Sequence, residues 1–290
     1  MAPLERYSSE VLARGDRVIP TARSGISRLQ HLADQGAHTL DLDVTASQEE
    51  LNTKVEEAVT KYGRVDVLVN NAGYMSAGTT EESSDEHFKA VFDVNFFGVL
   101  LMIRAVLPYL RKQRSGFIAF LGSPLGWKGI AGAAPYVTSK FALEGVAECV
   151  RGEVSSFGIQ TTIFDMGNVK TPILNAGRLQ YSPRSIDDYN DTMTRFYRII
   201  DYLDNKQPDD PEKAVKVIID VIKREGVAAG KSPPERLVLG TGMLGYVHSK
   251  CDETLESCRK WDAITHSINF DGLTPISLSQ TSVVSSKLAQ

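Results

Sequence analysis

Apolar positions along this chain alternate between two rhythms. Residues 65–73 (VDVLVNNAG) and 116–123 (GFIAFLGS) are continuous apolar runs closed by turn residues, and 159–167 (IQTTIFDMG) is a third. Runs apolar at consecutive positions suit strands buried on both faces, as in parallel sheets. DRVIPTAR (16–23), HTLDLDV (38–44) and RLVLG (236–240) read as shorter strands. Between these runs the period lengthens. Residues 47–63 place Leu51, Val55, Ala58 and Val59 on one helical face and end at Gly63. Further helices are predicted over roughly 85–112 and 136–158. Residues 210–226 form another, with Asp210 as N-cap, Pro211 at the first position and Gly226 past the end.

Strands alternating with helices predict an α/β fold, a doubly wound parallel sheet covered on both faces. Ligands of such sheets bind beyond the carboxyl ends of the strands. Those ends carry Asp43, the NNAG of 70–73, Ser123 and the GNVKT of 167–171. Residues 171–210 are poor in strand signals but hold Tyr181, Tyr189, Phe196, Tyr197 and Tyr202, which predicts a helical lid over this rim. The expected organisation is one domain over 1–273 and a small, polar, disordered tail over 274–290.

Composition narrows the setting. The chain has 290 residues, a formal net charge of -4 and a pI near 5.8, with no basic cluster for nucleic acid. Cys149, Cys251 and Cys258 are too scattered for a disulfide framework or a metal site. No stretch is expected to reach the ~18 apolar residues of a membrane helix, and the first residues lack the apolar core of a secretory signal. A cytoplasmic protein without membrane or nucleic-acid partners is expected.

Tyr136 and Lys140 are spaced i, i+4 and so share a helix face. Taken alone, that spacing also describes many solvated surfaces. An ammonium beside a phenol favours the phenolate, however, and a tyrosine so placed can exchange a proton with a hydroxyl or carbonyl oxygen. Ser123 ends a strand on the same rim, where it is either a turn residue or a hydrogen-bond donor to that oxygen. Asn95 is a polar residue inside an apolar helical run, either a core amide or part of the site.

NNAG (70–73), Asn95, Ser123, Tyr136-x-x-x-Lys140 and GNVKT (167–171), in this order and spacing, resemble the short-chain dehydrogenase/reductase family over about residues 9–273. The resemblance implies a Rossmann-like fold and a nicotinamide cofactor. It implies Tyr136 as acid/base, Ser123 polarising the substrate oxygen, Lys140 supporting the tyrosine and binding the nicotinamide ribose, and Asn95 holding a water that links Lys140 to solvent. Asp43 would contact the adenine, Asn70 the adenine ribose, and Val169 and Thr171 the carboxamide. Arg104 matches a basic helix position near the cofactor. Arg23, just past the second strand, stands where a cation would meet a 2′-phosphate; this implies NADP(H), since an acidic residue there would imply NAD(H). No metal is implied. Family members commonly pair through two long helices, so a homodimer or homotetramer is expected. Met166 replaces the family's usual proline, a modest departure.

One departure is larger. The family opens with an apolar strand and a glycine-rich turn whose amides hold the pyrophosphate at a helix N-terminus. Here YSSEVLARGD (7–16) matches the end of that helix, and only MAPLER precedes it, with no glycine and no apolar run. The first strand and phosphate loop are expected to be absent, as in a chain with an incomplete N-terminus or in a shortened protein with altered cofactor binding. The primary expectation is an NADP(H)-dependent oxidoreductase interconverting a ketone and a secondary alcohol on a bulky, largely apolar, steroid-, retinoid- or polyketide-like substrate. The alternative is a non-redox protein on the same fold, such as a cofactor-free isomerase or cyclase or a non-catalytic subunit.

Overall fold

The computed structural model describes residues 3–174, 179–182, 185–204 and 206–270. Two compact units divide the chain, Met1–Tyr246 and Val247–Gln290. The sequence predicts a single domain over 1–273, and the tail expected over 274–290 lies outside the described residues.

The first unit opens with helix α1 (Pro3–Ala13), followed by strand β1 (Thr21–Ala22), the short helix α2 (Gln30–Ala33) and strand β2 (Leu40–Asp41). Helix α3 (Gln48–Tyr62) starts where the Ser47 hydroxyl accepts from the Glu50 N–H and stops at Gly63, whose φ of 78° suits glycine. Strands β3 (Val67–Asn70) and β4 (Ser76–Ala77) follow. Helix α4 (Asp85–Phe92), capped by Ser84, then runs through a π-helical turn (Asp93–Phe97) into α5 (Gly98–Gln113). Next come β5 (Gly116–Leu121), α6 (Ala134–Val154) and β6 (Ile159–Met166). The lid segment holds β7 (Gln180–Tyr181) and α7 (Asn190–Leu203), followed by α8 (Pro211–Lys223) and β8 (Arg236–Leu239).

The strands predicted at 16–23 and 38–44 shrink to two residues each, and the sheet explains why. Four strands form a parallel sheet in the order β3-β5-β6-β8, while β1 and β2 pair only with each other, also in parallel. This is the doubly wound order with its central member absent: among the described residues no strand joins β1 to β3. Inner strands are fully packed, with Ile118, Ala119 and Phe120 of β5 at 0% exposure, whereas Val67 on the β3 edge is 37% exposed. Residues 3–8 cannot bridge the break, because they belong to α1. That helix is held on α8 by Arg14, which pairs with Asp220 at 2.6 Å and Glu225 at 2.7 Å, and by Arg6 with Glu212. Its Tyr7 packs with Phe117, Phe164 and Ile218, and burial pushes the phenol well above its ordinary range.

One membrane expectation is corrected. The continuous helix Asp85–Gln113 is long and apolar enough to cross a membrane by length and composition. Its apolar side is used inside the fold, where Val99, Ile103, Val106 and Leu110 join Leu51, Val55 and Ile118 in the main core.

Helix α9 (Met243–Lys260) begins in the first unit and continues into the second, which also contains α10 (Asp262–His266). Among its described residues Leu255, Trp261, Ile264, Ile268 and Phe270 are exposed.

Candidate active site

Helix α6 delivers two of the expected catalytic side chains. Tyr136 and Lys140 lie one turn apart near its start and are buried, at 7% and 9% exposure. The Lys140 Nζ sits 5.8 Å from the Tyr136 ring centroid and donates to the Leu121 carbonyl at the end of β5 at 2.8 Å. That bond fixes the ammonium beside the loop that follows β5. Ser123, buried in that loop, caps a single 3-10 turn (Pro124–Gly126), its hydroxyl accepting from the Leu125 N–H.

Asn95 occupies the π-helical turn between α4 and α5 and is 1% exposed. Such turns insert one residue into a helix and recur at functional sites. Its Oδ1 accepts from the Tyr74 N–H, and its Nδ2 donates to the Tyr74 carbonyl and the Ser139 hydroxyl, each at 3.1 Å. Asn95 is thus a core amide tying the segment after β3 to α6.

Ser123, Tyr136, Lys140 and Asn95 all line one cavity of about 2130 Å³, about twice the upper end for a small-molecule pocket (roughly 300–1,000 Å³). The excess has a structural origin, because the cavity continues between the two half-sheets, where Val18, Thr21 and Ala22 face Val67 and Val69. Asp43, Asn70, Val169, Thr171 and Arg23 also line it. Asp43 is held by Thr45, whose N–H and hydroxyl donate to its Oδ1, and the Asn70 Nδ2 donates to the Ala119 carbonyl. Arg23 is exposed at the end of β1, before a turn in which Ser24 and Gly25 both adopt positive φ (54° and 65°). Its charge reaches Tyr74, where it opposes the upward push of burial on that phenol. Arg104 differs from the others: it is exposed on α5 and does not line the cavity.

Arg23, Asp43 and Asn70 stand at or just past the ends of β1, β2 and β3, and Lys140, Val169 and Thr171 lie on α6 and after β6, so the residues expected at the two ends of a dinucleotide share one cavity. The middle fits poorly. Among the described residues no strand, glycine turn and helix N-terminus come together between β1 and β3 to cradle a pyrophosphate.

The lid covers the Tyr136 end, but its lining is aliphatic. Ile173, Leu174, Ile199, Ile200 and Leu203 face the cavity, and none of the five lid aromatics does. Phe196 instead packs against Gly132, Tyr202 is 71% exposed, and Tyr189 donates to Glu81. The sequence carried this aliphatic face as the i, i+1, i+4 set Ile199, Ile200 and Leu203, hidden among more conspicuous aromatics. It also carried, unrecognised, the buried Glu82, whose carboxylate accepts from the Thr79 N–H and hydroxyl and from the Ile186 N–H, tying the lid to the segment after β4.

A sequence model of the short chain dehydrogenase family matches residues 5–181. The chain is 31% identical over 254 residues to the oxidoreductase BOA17 of Botryotinia fuckeliana, covering 86% of this chain and 89% of that protein. It is 34% identical over 201 residues to a 3-ketodihydrosphingosine reductase of Bacteroides thetaiotaomicron, covering 69% and 72%. A short-chain dehydrogenase from Streptomyces avermitilis superposes with a TM-score of 0.80 at 28% identity, over 91% of this chain and 94% of that one. ElxO, solved with NADP bound, shares the fold at a TM-score of 0.66 and 22% identity, over 84% and 95%. The match of motif order, family model and fold places this chain in the short-chain dehydrogenase/reductase family, among its oxidoreductases.

Proposed function

We propose that the protein is an NADP(H)-dependent oxidoreductase that interconverts a ketone and a secondary alcohol on a bulky, largely apolar substrate. The observation that carries this reading is the burial of Tyr136 and Lys140 on one face of α6, on the same cavity wall as Ser123 and Asn95. A nicotinamide bound there supplies or accepts hydride. Tyr136 gives or takes the proton at the substrate oxygen, and the Ser123 hydroxyl donates a hydrogen bond to that oxygen. Lys140, anchored on Leu121, keeps a positive charge beside the phenol ring. The carboxamide end of the cofactor would rest on Val169 and Thr171, and the 2′-phosphate on Arg23. The aliphatic lid excludes water and suits an apolar substrate. The reductase relative from Bacteroides, named for a 3-keto compound, supports a ketone as the reacting group.

The test is carbonyl-dependent oxidation of NADPH across a panel of apolar ketones. Turnover with at least one ketone that disappears in Tyr136→Phe supports the reading; no turnover at any NADPH concentration overturns it. The same assay separates a second, non-redox reading on the same fold. Conversion of a substrate without NADPH consumption would select it.

We further propose a homodimer or homotetramer built on α5 and α6. Phe97, at the end of the π-helical turn that leads into α5, and Phe141 of α6 are 46% and 42% exposed, whereas Val150 packs in the core. A stable monomer in sedimentation at micromolar concentration would remove this proposal.

A further inference from the structure

A second polar cluster lies behind the catalytic loop, outside the cavity. Glu144 follows Lys140 by one turn on α6 and is 7% exposed; Asp165, near the end of β6, is 0% exposed. Two carboxylates so buried need compensation for both desolvation and mutual repulsion. Arg236, at the start of β8, supplies one positive charge. Its Nη2 reaches the Glu144 Oε2 at 2.6 Å and the exposed Glu148 at 3.2 Å, and its Nε lies 3.7 Å from the Asp165 Oδ2. The guanidinium stacks 4.3 Å above the Trp127 ring, and the Trp127 Nε1 donates to the Asp165 Oδ2 at 2.8 Å. Lys140 is the remaining charge facing the pair.

One oxygen of each carboxyl is left over. The Glu144 Oε1 and Asp165 Oδ1 are both buried and find no hydrogen-bond partner. Both also converge on Gly122, where an added Cβ would lie 2.1 Å from the Asp165 oxygen and 3.1 Å from the Glu144 oxygen. Two acceptors facing one another without a donor are repulsive. A single proton between them turns both into satisfied partners and leaves one negative charge for Arg236.

We propose that Glu144 is a positioning residue: it carries a proton on Oε1, donates it in a hydrogen bond to the Asp165 Oδ1, and so locks α6 to the ends of β5 and β6 at the point where Lys140 and Ser123 are presented. Gly122 lies between Leu121, which accepts from Lys140, and Ser123, so the pair presses on the backbone that joins the two catalytic contacts. The electrostatics agree with this assignment. Burial first, and then the Asp165 charge, push the Glu144 carboxyl up to about 9. Burial also raises Asp165, but the bonds from Glu144 and Trp127 and the charge of Arg236 oppose it, so Asp165 is the acceptor.

The test reads the pair directly and needs no cofactor. Trp127 reports on Asp165, and Trp261→Phe removes the other tryptophan. In that background Trp127 emission should change in one step near pH 9 and show no such step in Glu144→Gln, whose amide donates to Asp165 without titrating. The melting temperature gives a second readout. The folded state binds one more proton than the unfolded chain between the ordinary carboxyl value of 4.5 and about 9. Stability from this group therefore falls as pH rises across that window, and Glu144→Gln should remove the slope. If Glu144→Gln does not fold, Asp165→Asn serves in its place and should likewise abolish the emission step. A parent protein with no step near pH 9, or a step that persists in the variants, would overturn the shared proton. The positioning role rests on the proposed function and is read separately. Glu144→Ala should lower turnover at least tenfold while Glu144→Gln rescues it, and full turnover in a folded Glu144→Ala would overturn that role alone.

Discussion

Tyr136 is buried with its ring beside the Lys140 ammonium, so its hydroxyl can be removed with little disturbance of packing. Tyr136→Phe should keep the melting temperature and lower turnover by at least ~10²-fold, the low end for loss of a general acid/base. Steady-state rates of the folded variant check this. Arg23 is exposed at the cavity wall, so its contribution should lie in cofactor choice and not in folding. Arg23→Asp should reduce the preference for NADPH over NADH by roughly 1–3 kcal/mol, the scale of a hydrogen bond to a charged group. The ratio of kcat/KM values for the two cofactors measures it. At this scale the sequence was legible wherever placement depends on fixed spacing, as for Tyr136 and Lys140 on one face of α6. Arg104 shows the limit, since motif position alone does not say which side of a helix meets a cavity. Glu144 and Asp165 were invisible for a related reason: their meaning depends on the meeting of α6, β6 and β8, which no local pattern encodes.

Elements were legible where their own residues decide them. The long buried strands β5 and β6 and the capped helices α3 and α8 fall within a few residues of their predicted spans. Strands β1 and β2 are shorter than predicted because a strand also needs a neighbour, and β1 has one only on the β2 side. The lid was legible as an insertion, but not the tether that holds it. Burial raises the Glu82 carboxyl, yet the bonds from Ile186 and Thr79 outweigh it and hold the group below its ordinary range. A depressed carboxyl contributes stability above its unfolded value, and that stability is lost as pH falls through the folded value. The lid should therefore loosen on acidification below the ordinary carboxyl value of 4.5. Glu82→Ala should loosen it at neutral pH. Tryptic cleavage at Arg195 and Arg198 in α7 should accelerate at least about fivefold, the change in open population for roughly 1 kcal/mol. Unchanged cleavage would show that the hydrophobic contacts of Met193, Phe196 and Ile200 hold the lid alone.

For the molecule as a whole, the decisive feature is the break between β1 and β3. Edge backbone groups there face a cavity in place of a partner strand, and unpaired groups of this kind are costly when removed from water. The segment β1–α2–β2 retains only a small cluster of its own, Ala22, Leu29, Leu32 and Ala37, packed with Leu12 and Val18. It should open as a unit ahead of the β3-β5-β6-β8 sheet, so amides of residues 18–42 should exchange hydrogen well before those of β5 and β6. The gap is legible from the doubly wound strand order, in which a further strand stands between β1 and β3. What could not be read is that the half-sheets stay apart around a cavity continuous with the catalytic site.

That cavity holds Ser123, Tyr136 and Lys140 and runs on between the half-sheets, and NADPH titration followed by nucleotide fluorescence tests the proposed cofactor site most directly. It compares the chain as it stands with one carrying a grafted apolar strand and glycine-rich turn ahead of Ser9. The ungrafted chain should bind weakly, with saturation only well above micromolar NADPH, and the graft should bring binding into the micromolar range while raising the melting temperature. Micromolar binding and a cooperative melt in the ungrafted chain, or no gain from the graft, would contradict the account.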